Sequence, residues 1–320
     1  MPLVWLLCDD RPGNVNQCIG IGDALGYGYE RKNLVYTTFK YLPNFLLGDF
    51  AAIRDHKASS PLDPPWPDIV IAAGRRTGSV AHWIKKQNHG NTFIVQCMHP
   101  GWPAGNYDLI VVPQHDKPKP GHNIIVSIGA PNHITQDVLA RESEHWKSEV
   151  AHLPHPRIAM LIGGNSKGGK FSEDDIADLA RKASRMAESR NGSLMVTTSR
   201  RTPNSTIKAL KENFTAPYYF YEYAPDRPNP YPGILGLADA IIVTGDSMSM
   251  TSEAATTGKP VYIFSTPSIA ALKHQAMHQR LYALGCARPL SGTYEEWIYQ
   301  PLADAAMVAG EIKARMGIEK

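Results

Sequence analysis

The chain has little cysteine, little net charge and no long apolar run, and each shortage removes a class of protein. Its four cysteines, Cys8, Cys18, Cys97 and Cys286, are scattered with no CxxC spacing. That excludes a disulfide scaffold and fits a reduced, cytoplasmic protein. Basic residues number 33 against 30 acidic, a formal charge of +3. So small an excess gives no basis for nucleic-acid binding or for attraction to an anionic membrane, and any basic function must be local. No apolar stretch approaches the roughly 20 residues that span a bilayer, which leaves peripheral contact as the only membrane role. The N-terminal MPLVWLLCDDRPG lacks a basic segment and a small-residue cleavage site, so no signal peptide is expected. The twelve histidines show no HExxH and no clustered ligand spacing. His274 and His278 are i, i+4 on a predicted helix without a third ligand, and read as surface or cleft histidines rather than a metal site. No internal repeat or low-complexity tract is present.

A hydrophobic content of 43% over 320 residues is that of a globular protein long enough for two domains. Short apolar runs alternate with helix-like segments. In the first half these runs are Leu3 to Cys8, Ile69 to Ala73, Phe93 to Cys97, Leu109 to Val112 and Ile124 to Ser127. Runs of this kind are strands buried on both faces of a parallel sheet. The rhythm restarts at Ile158 to Ile162 and continues through Leu194 to Thr197, Tyr218 to Tyr221, Ala240 to Thr244 and Val261 to Phe264. Two successive βαβ systems predict an α/β protein of two Rossmann-like, doubly wound domains. The expected division is 1–152 and 153–301, at the connection stiffened by Pro154 and Pro156, with the last helix (302–316) packing back on the first domain.

In such sheets ligands bind beyond the carboxyl ends of the strands, so the residues just past each strand matter most. After Ile162 comes GGNSKGGKF, glycine-rich and close to a P-loop, but Phe171 stands where a magnesium-binding hydroxyl is needed. Ser172 is better used to cap a helix beginning at Glu173, with Asp175 completing a capping-box pattern. Gly164, Asn165, Ser166 and Lys167 are therefore read as a loop that approaches a phosphate, with a plain flexible turn as the alternative. Arg200 and Arg201 come after the next strand, where guanidinium forks suit a diphosphate and two solvated arginines are the plain alternative. An aromatic and proline-rich segment containing Tyr223 comes after the third, as a wall for a nucleobase or as simple packing. After the fourth, Gly245 and Asp246 lead into a helix opened by Ser247 and Ser249 with Glu253 further along. A helix N-terminus with added hydroxyl donors favours a phosphate, and an internal carboxylate suits ribose hydroxyls. Taken alone that helix reads as a well-capped one. Four ligand-capable strand ends in one domain outline a site for a nucleoside diphosphate. GIGDALG (Gly20 to Gly26), by contrast, falls inside the first helix and does not make a nicotinamide site.

The stretch SMTSEAATTGKPVYIF resembles the nucleotide-binding signature of GT-B glycosyltransferases, above all the kind that adds N-acetylglucosamine to a peptidoglycan lipid. Over nearly its whole length the chain is similar to the mitochondrial-fission family known from the plant "elongated mitochondria" protein, which has many bacterial members. The motifs that carry this are DDRPGNVNQCIGIGDALG, GRRT, GGNSKGG and TGDSMSMTSEAATTGKPVY. The resemblance implies a GT-B fold whose domains face a cleft, with a nucleotide-diphosphate sugar as donor substrate and no other cofactor. Glu253 would hold the ribose, and Ser247 and Ser249 the diphosphate. It further implies transfer to an unknown acceptor, lipid-linked or of the cell envelope, without a metal ion. The acceptor would be met by Arg11, Asn16, Gln17, Arg75, Arg76 and Thr77, with Asp10 and then Asp9 as candidate base. Where many GT-B enzymes carry a glycine-rich loop with a histidine after the first strand, this chain has DDRPGN. A non-catalytic adaptor of the fission family and a nucleotide-sugar epimerase are the alternative readings.

Overall fold

The computed structural model describes residues 1–37, 54–100, 104–165 and 169–318. Its contacts divide the chain into two units, Met1–His133 with Ala303–Lys320, and Ile134–Leu302.

The first unit is built on β1 (Val4–Cys8), β2 (Tyr29–Asn33), β3 (Ile69–Ala73), β4 (Phe93–Cys97), β5 (Leu109–Pro113) and β6 (Ile124–Ser127). They form one parallel sheet in the order β2-β1-β3-β4-β5-β6. β1, β3 and β5 are buried along their whole length, as unbroken apolar runs require. Each Leu, Ile or Val removed from water there contributes roughly 1.5–3 kcal/mol. β2, sequence YERKN, is not legible as a strand in the sequence because it is a polar edge with little to bury. Helix α1 (Pro12–Leu25) starts on Pro12, whose missing N–H costs nothing at a first turn, and stops at Gly26 in the left-handed region. Helix α2 (Arg75–Gln87) leaves β3 through Gly74 at φ 84. The strand order reverses between β1 and β3, so the starts of α1 and α2 flank that switch point.

The second unit holds helix α3 (Gln136–Trp146) and then β7 (Arg157–Ile162), α4 (Glu173–Glu188), β8 (Ser193–Thr198), α5 (Asn204–Asn213), β9 (Tyr218–Tyr221), α6 (Tyr231–Leu237) and β10 (Ala240–Thr244). It continues through α7 (Met248–Thr256), β11 (Val261–Phe264), α8 (Leu272–Ala283) and β12 (Ala287–Pro289). Its parallel sheet runs β12-β11-β10-β7-β8-β9 and reverses between β7 and β10. Ser172 caps α4 in a full capping box with Asp175. The three-residue β12 is too short to read in the sequence.

The units divide before Ile134, earlier than the proline connection suggests. Helix α3 packs on α6, where a Cβ at Gly236 would lie 2.1 Å from Ser143 Oγ and 2.6 Å from the Leu139 carbonyl oxygen. That close approach commits α3 to the second unit. The last helix, α9 (Asp304–Met316), belongs to the first unit. It packs Val308, Ala309 and Ile312 among Cys18, Ile21 and Leu25. Asp304 accepts hydrogen bonds from the backbone N–H of Ile128 and Gly129, both at 2.9 Å.

Candidate functional site

At the switch point of the first unit, Asp9 follows β1 and Arg76 stands in the first turn of α2. A pocket of about 250 Å³ there is lined by Asp9, Asp10, Arg11, Asn14, Gly74, Arg75 and Arg76. Arg76 Nη2 donates to Asp9 Oδ2 at 3.1 Å and to Asp10 Oδ1 at 2.6 Å. Its guanidinium also lies 4.6 Å from the ring centre of Tyr36. Asp9 is enclosed, with its side chain 2% exposed, and accepts from Asn14 Nδ2 and from the Arg11 N–H. Burial pushes its carboxyl above the usual value, outweighing the hydrogen bonds from Arg11 and Asn14. Asp10 is 65% exposed. Its slight burial works upward, but the hydrogen bond and charge of Arg76 prevail and hold it below the usual carboxylate value. Asp10 is thus the accessible carboxylate and Asp9 the more basic one.

The other five acceptor-side candidates are placed unequally. Arg11 and Arg75 are exposed at the pocket, while Thr77 is buried and donates to the carbonyls of Ala73 and Gly74. Gln17 is buried and donates to the Gly13 carbonyl, and neither it nor Asn16 lines the pocket. Asn14 is a pocket residue that the sequence does not single out. Its signal is available, since it stands five residues after Asp9 in the first turn of α1.

At the switch point of the second unit, Asp246 turns inward. Its carboxylate, 1% exposed, accepts from Arg201 Nη2 at 3.0 Å, from the Gly164 N–H at 2.9 Å and from Thr244 Oγ1 at 2.8 Å. Arg201 also donates to the carbonyls of Gly164 and Asn165. A Cβ at Gly164 would lie 2.2 Å from the Arg201 backbone, so glycine is required there. Arg201, Gly164 and Asp246 therefore hold the loops together. Arg200 is the exposed arginine of the two. Asn165 Oδ1 accepts from the Phe171 N–H, and the Tyr223 N–H donates to Thr198. Ser166 and Lys167 lie outside the described residues.

Helix α7 is capped by Ser247, whose side chain accepts from the Met250 N–H. Thr251, Ser252 and Thr256 donate back to carbonyls four residues earlier in the helix. Most of the hydroxyls are spent this way, leaving half-buried Ser247 and Ser249 at the opening turn. Gly245 packs on His278, where a Cβ would meet Cε1 at 2.5 Å. Both His274 and His278 are buried, not surface groups, at 8% and 3% exposed. Burial and then the charge of His274 lower His278 to about 4, so it is neutral at pH 7. Beside it, a cavity of about 300 Å³ is lined by Ser265, Thr266, Gln275, His278, Gln279 and Tyr282, with two prolines. No member of that set carries a full charge at neutral pH. Glu253 is buried, and its Oε2 accepts a 2.6 Å hydrogen bond from the Tyr231 hydroxyl. Tyr231, delivered by the proline-rich segment, is not singled out by the sequence, which offers no sign of its partner. Among the described residues no group of three or more His, Cys, Asp or Glu is placed to hold a metal ion.

The sequence matches the model of the family described as mitochondrial fission ELM1 over residues 12–316. The chain belongs to that family. It is 33% identical to the uncharacterized protein RP120 of Rickettsia prowazekii (strain Madrid E), covering 99% of both chains. It is 29% identical to the mitochondrial fission protein ELM1 of Arabidopsis thaliana, over 78% of this chain and 64% of the plant protein. Among solved structures it is similar to the UDP-GlcNAc 2-epimerase of Methanocaldococcus jannaschii, with a TM-score of 0.58 at 11% identity, covering 98% of this chain and 100% of that one. It is also similar to the Neisseria meningitidis UDP-GlcNAc 2-epimerase bound to UDP-GlcNAc, with a TM-score of 0.51 at 13% identity and full coverage of both chains. The fold is GT-B, with two Rossmann-like units each on a parallel six-stranded sheet. No helix among the described residues is long and apolar enough to cross a membrane.

Proposed function

We propose that the second unit binds a nucleoside diphosphate-sugar and that the protein transfers the sugar to a hydroxyl-bearing acceptor. The observation that carries this is the inward turn of Asp246. A carboxylate immediately before a helix would repel a phosphate, but this one is buried and neutralised by Arg201. The opening turn of α7 can meet an anion with its first N–H groups, ahead of the Met250 N–H that Ser247 caps, and with the hydroxyls of Ser247 and Ser249. Arg200 adds a positive charge for the departing diphosphate. The uncharged cavity of amides and hydroxyls around Gln275 and Gln279 has the chemistry of a sugar site. The ribose diol takes the place of the Tyr231 phenol on Glu253. In the first unit Asp10, the accessible carboxylate, receives the acceptor hydroxyl. The neighbouring epimerase bound to UDP-GlcNAc supports the reading through its shared fold.

The test is thermal denaturation with a panel of nucleoside diphosphate-sugars, followed by assay of nucleoside diphosphate release. At least one donor is expected to raise the melting temperature of the wild type, and to raise it less in the variant Ser247→Ala/Ser249→Ala. No shift with any nucleotide rejects the donor site. Binding without release under any acceptor mixture leaves a nucleotide-binding adaptor in place of a transferase.

A further inference from the structure

The cavity beside His278 has a wall whose hydrogen-bond polarity is set from outside it. Thr266 is part of that wall. Its Oγ1 lies 2.6 Å from Ser268 Oγ, and the Ser268 hydroxyl donates to Asp175 Oδ2 at 2.6 Å. Asp175 stands in the first turn of α4, where Oδ2 also accepts from the N–H and the hydroxyl of Ser172 at 3.1 and 2.7 Å. Burial works upward on Asp175, but the hydrogen bonds from Ser268 and Ser172 prevail and hold its carboxyl below the usual value. It is ionised at neutral pH and can only accept. The Ser268 backbone is held as well. Its carbonyl accepts from the Lys170 N–H at 2.8 Å, and a Cβ at Gly169 would lie 2.5 Å from the same oxygen.

A hydroxyl has one hydrogen to give. Ser268 gives its own to the carboxylate of Asp175, so across the contact between the two hydroxyls Thr266 donates and Ser268 accepts. Thr266 Oγ1 is left with lone pairs only. Gln275, which lines the same cavity, is fixed in a similar sense: its Nε2 donates to the Ala270 carbonyl at 2.9 Å, and Oε1 remains as the acceptor of the amide. Among the described residues, none that lines the cavity is cationic at pH 7, His278 being neutral. A ligand carboxylate would set acceptor against acceptor here. A sugar hydroxyl or an amide N–H donates to both.

We propose that this cavity selects a sugar that is uncharged and donates a hydrogen bond to Thr266 Oγ1, with Asp175, acting through Ser268, as the positioning residue that sets the preference. The proposal rests on the second unit binding a nucleoside diphosphate-sugar, and it adds the class of sugar. A neutral hexose or an N-acylated amino sugar is taken, and a uronate is refused.

The whole chain is titrated calorimetrically with UDP, UDP-glucose and UDP-glucuronate, and with GDP, GDP-mannose and GDP-mannuronate. In one of the two series the neutral sugar nucleotide is expected to bind several-fold more tightly than its diphosphate, and the uronate at least about 10-fold more weakly than the neutral sugar. Thr266→Val removes the acceptor and keeps the shape of the side chain. It should lower affinity for the neutral sugar nucleotide about 3- to 10-fold and leave the diphosphate unchanged, and Thr266→Ser should restore the preference. Asp175→Asn should narrow the gap between neutral sugar and uronate several-fold, because an amide can donate to Ser268 and so release the Thr266 hydrogen. An unchanged gap in that variant overturns the role of Asp175, and should the variant fail to fold, the two Thr266 variants decide. Equal affinity for neutral sugar and uronate, or an unchanged sugar preference in Thr266→Val, overturns the proposal while the bound diphosphate keeps the donor site. Absence of binding in both series overturns the donor site and the proposal together.

Discussion

Arg201 Nη2 lies 3.0 Å from Asp246 Oδ2, and this one ion pair ties together the ends of three strands. Asp246 lies just past β10, Arg201 past β8, and Gly164, whose N–H also donates to Asp246, past β7. Breaking a buried pair leaves a charge without a partner, which costs about 3–5 kcal/mol. Asp246→Ala is therefore expected to lower unfolding stability by about 3 kcal/mol, the smaller figure because Arg201 is partly exposed. The double change Asp246→Ala/Arg201→Ala should cost clearly less than the two single changes added together, since no unpaired charge remains. Urea unfolding of the four proteins measures the coupling, and simple additivity would show that the pair does not act as a unit.

Tyr231 and Glu253 make opposite predictions for stability and for binding. The phenol donates to a charged acceptor at 2.6 Å, and such a bond contributes about 1.5–3 kcal/mol. Tyr231→Phe should lower the melting temperature of the ligand-free protein. The same change removes the group that competes with ribose for Glu253, so affinity for the donor nucleotide should rise, by up to about 10-fold for a 1.4 kcal/mol competitor. Titration with the nucleotide found in the thermal panel decides it. Weaker binding in Tyr231→Phe would make the phenol part of the ribose contact and not its rival.

His278 supplies a pH dependence of definite sign. In the folded protein burial and the neighbouring His274 lower it from the ordinary 6.5 to about 4. Below pH 6.5 the unfolded chain takes up a proton that the folded chain refuses until about pH 4. Stability present above pH 6.5 is thus lost as the pH falls toward 4, by about 3 kcal/mol for a shift of this size. His278→Gln, which cannot titrate, should show a smaller loss between about pH 7 and 4.5 in urea midpoints. His274 shifts in the same direction but is retained in both proteins, so the difference between the two profiles belongs to His278. Parallel profiles would mean that His278 is solvated.

Both sheets are legible in the sequence because a strand buried on two faces has no choice but to be apolar throughout, and such a run announces its own end. β1, β3, β5, β7, β10 and β11 are visible for this reason. The edge strands β2 and β12 are not, since the polar YERKN and the three-residue ARP bury too little to impose a pattern. The division between the units is hidden for a different reason. It depends on Trp146 and Ser143 of α3 meeting Gly233 and Gly236 of α6, a contact between segments far apart in the chain.

The sequence by itself determined which residues stand at the strand ends, because chain order and the carboxyl-end rule place every loop of a doubly wound sheet. Asp9, Asp10, Arg75, Arg76, Gly164, Arg201, Gly245 and Ser247 are all located in this way. Only the tertiary structure decided which of them look outward. Asp246 and Arg201 are 45 positions apart and each could have faced a ligand; they neutralise one another instead. Glu253 lies under a tyrosine 22 positions earlier, and Asp9 is enclosed by Asn14 and Arg76 while Asp10, held by Arg76 through Oδ1 alone, stays 65% exposed. A charged side chain turns toward whichever partner best offsets its loss of water, and that partner is set by packing, not by spacing along the chain.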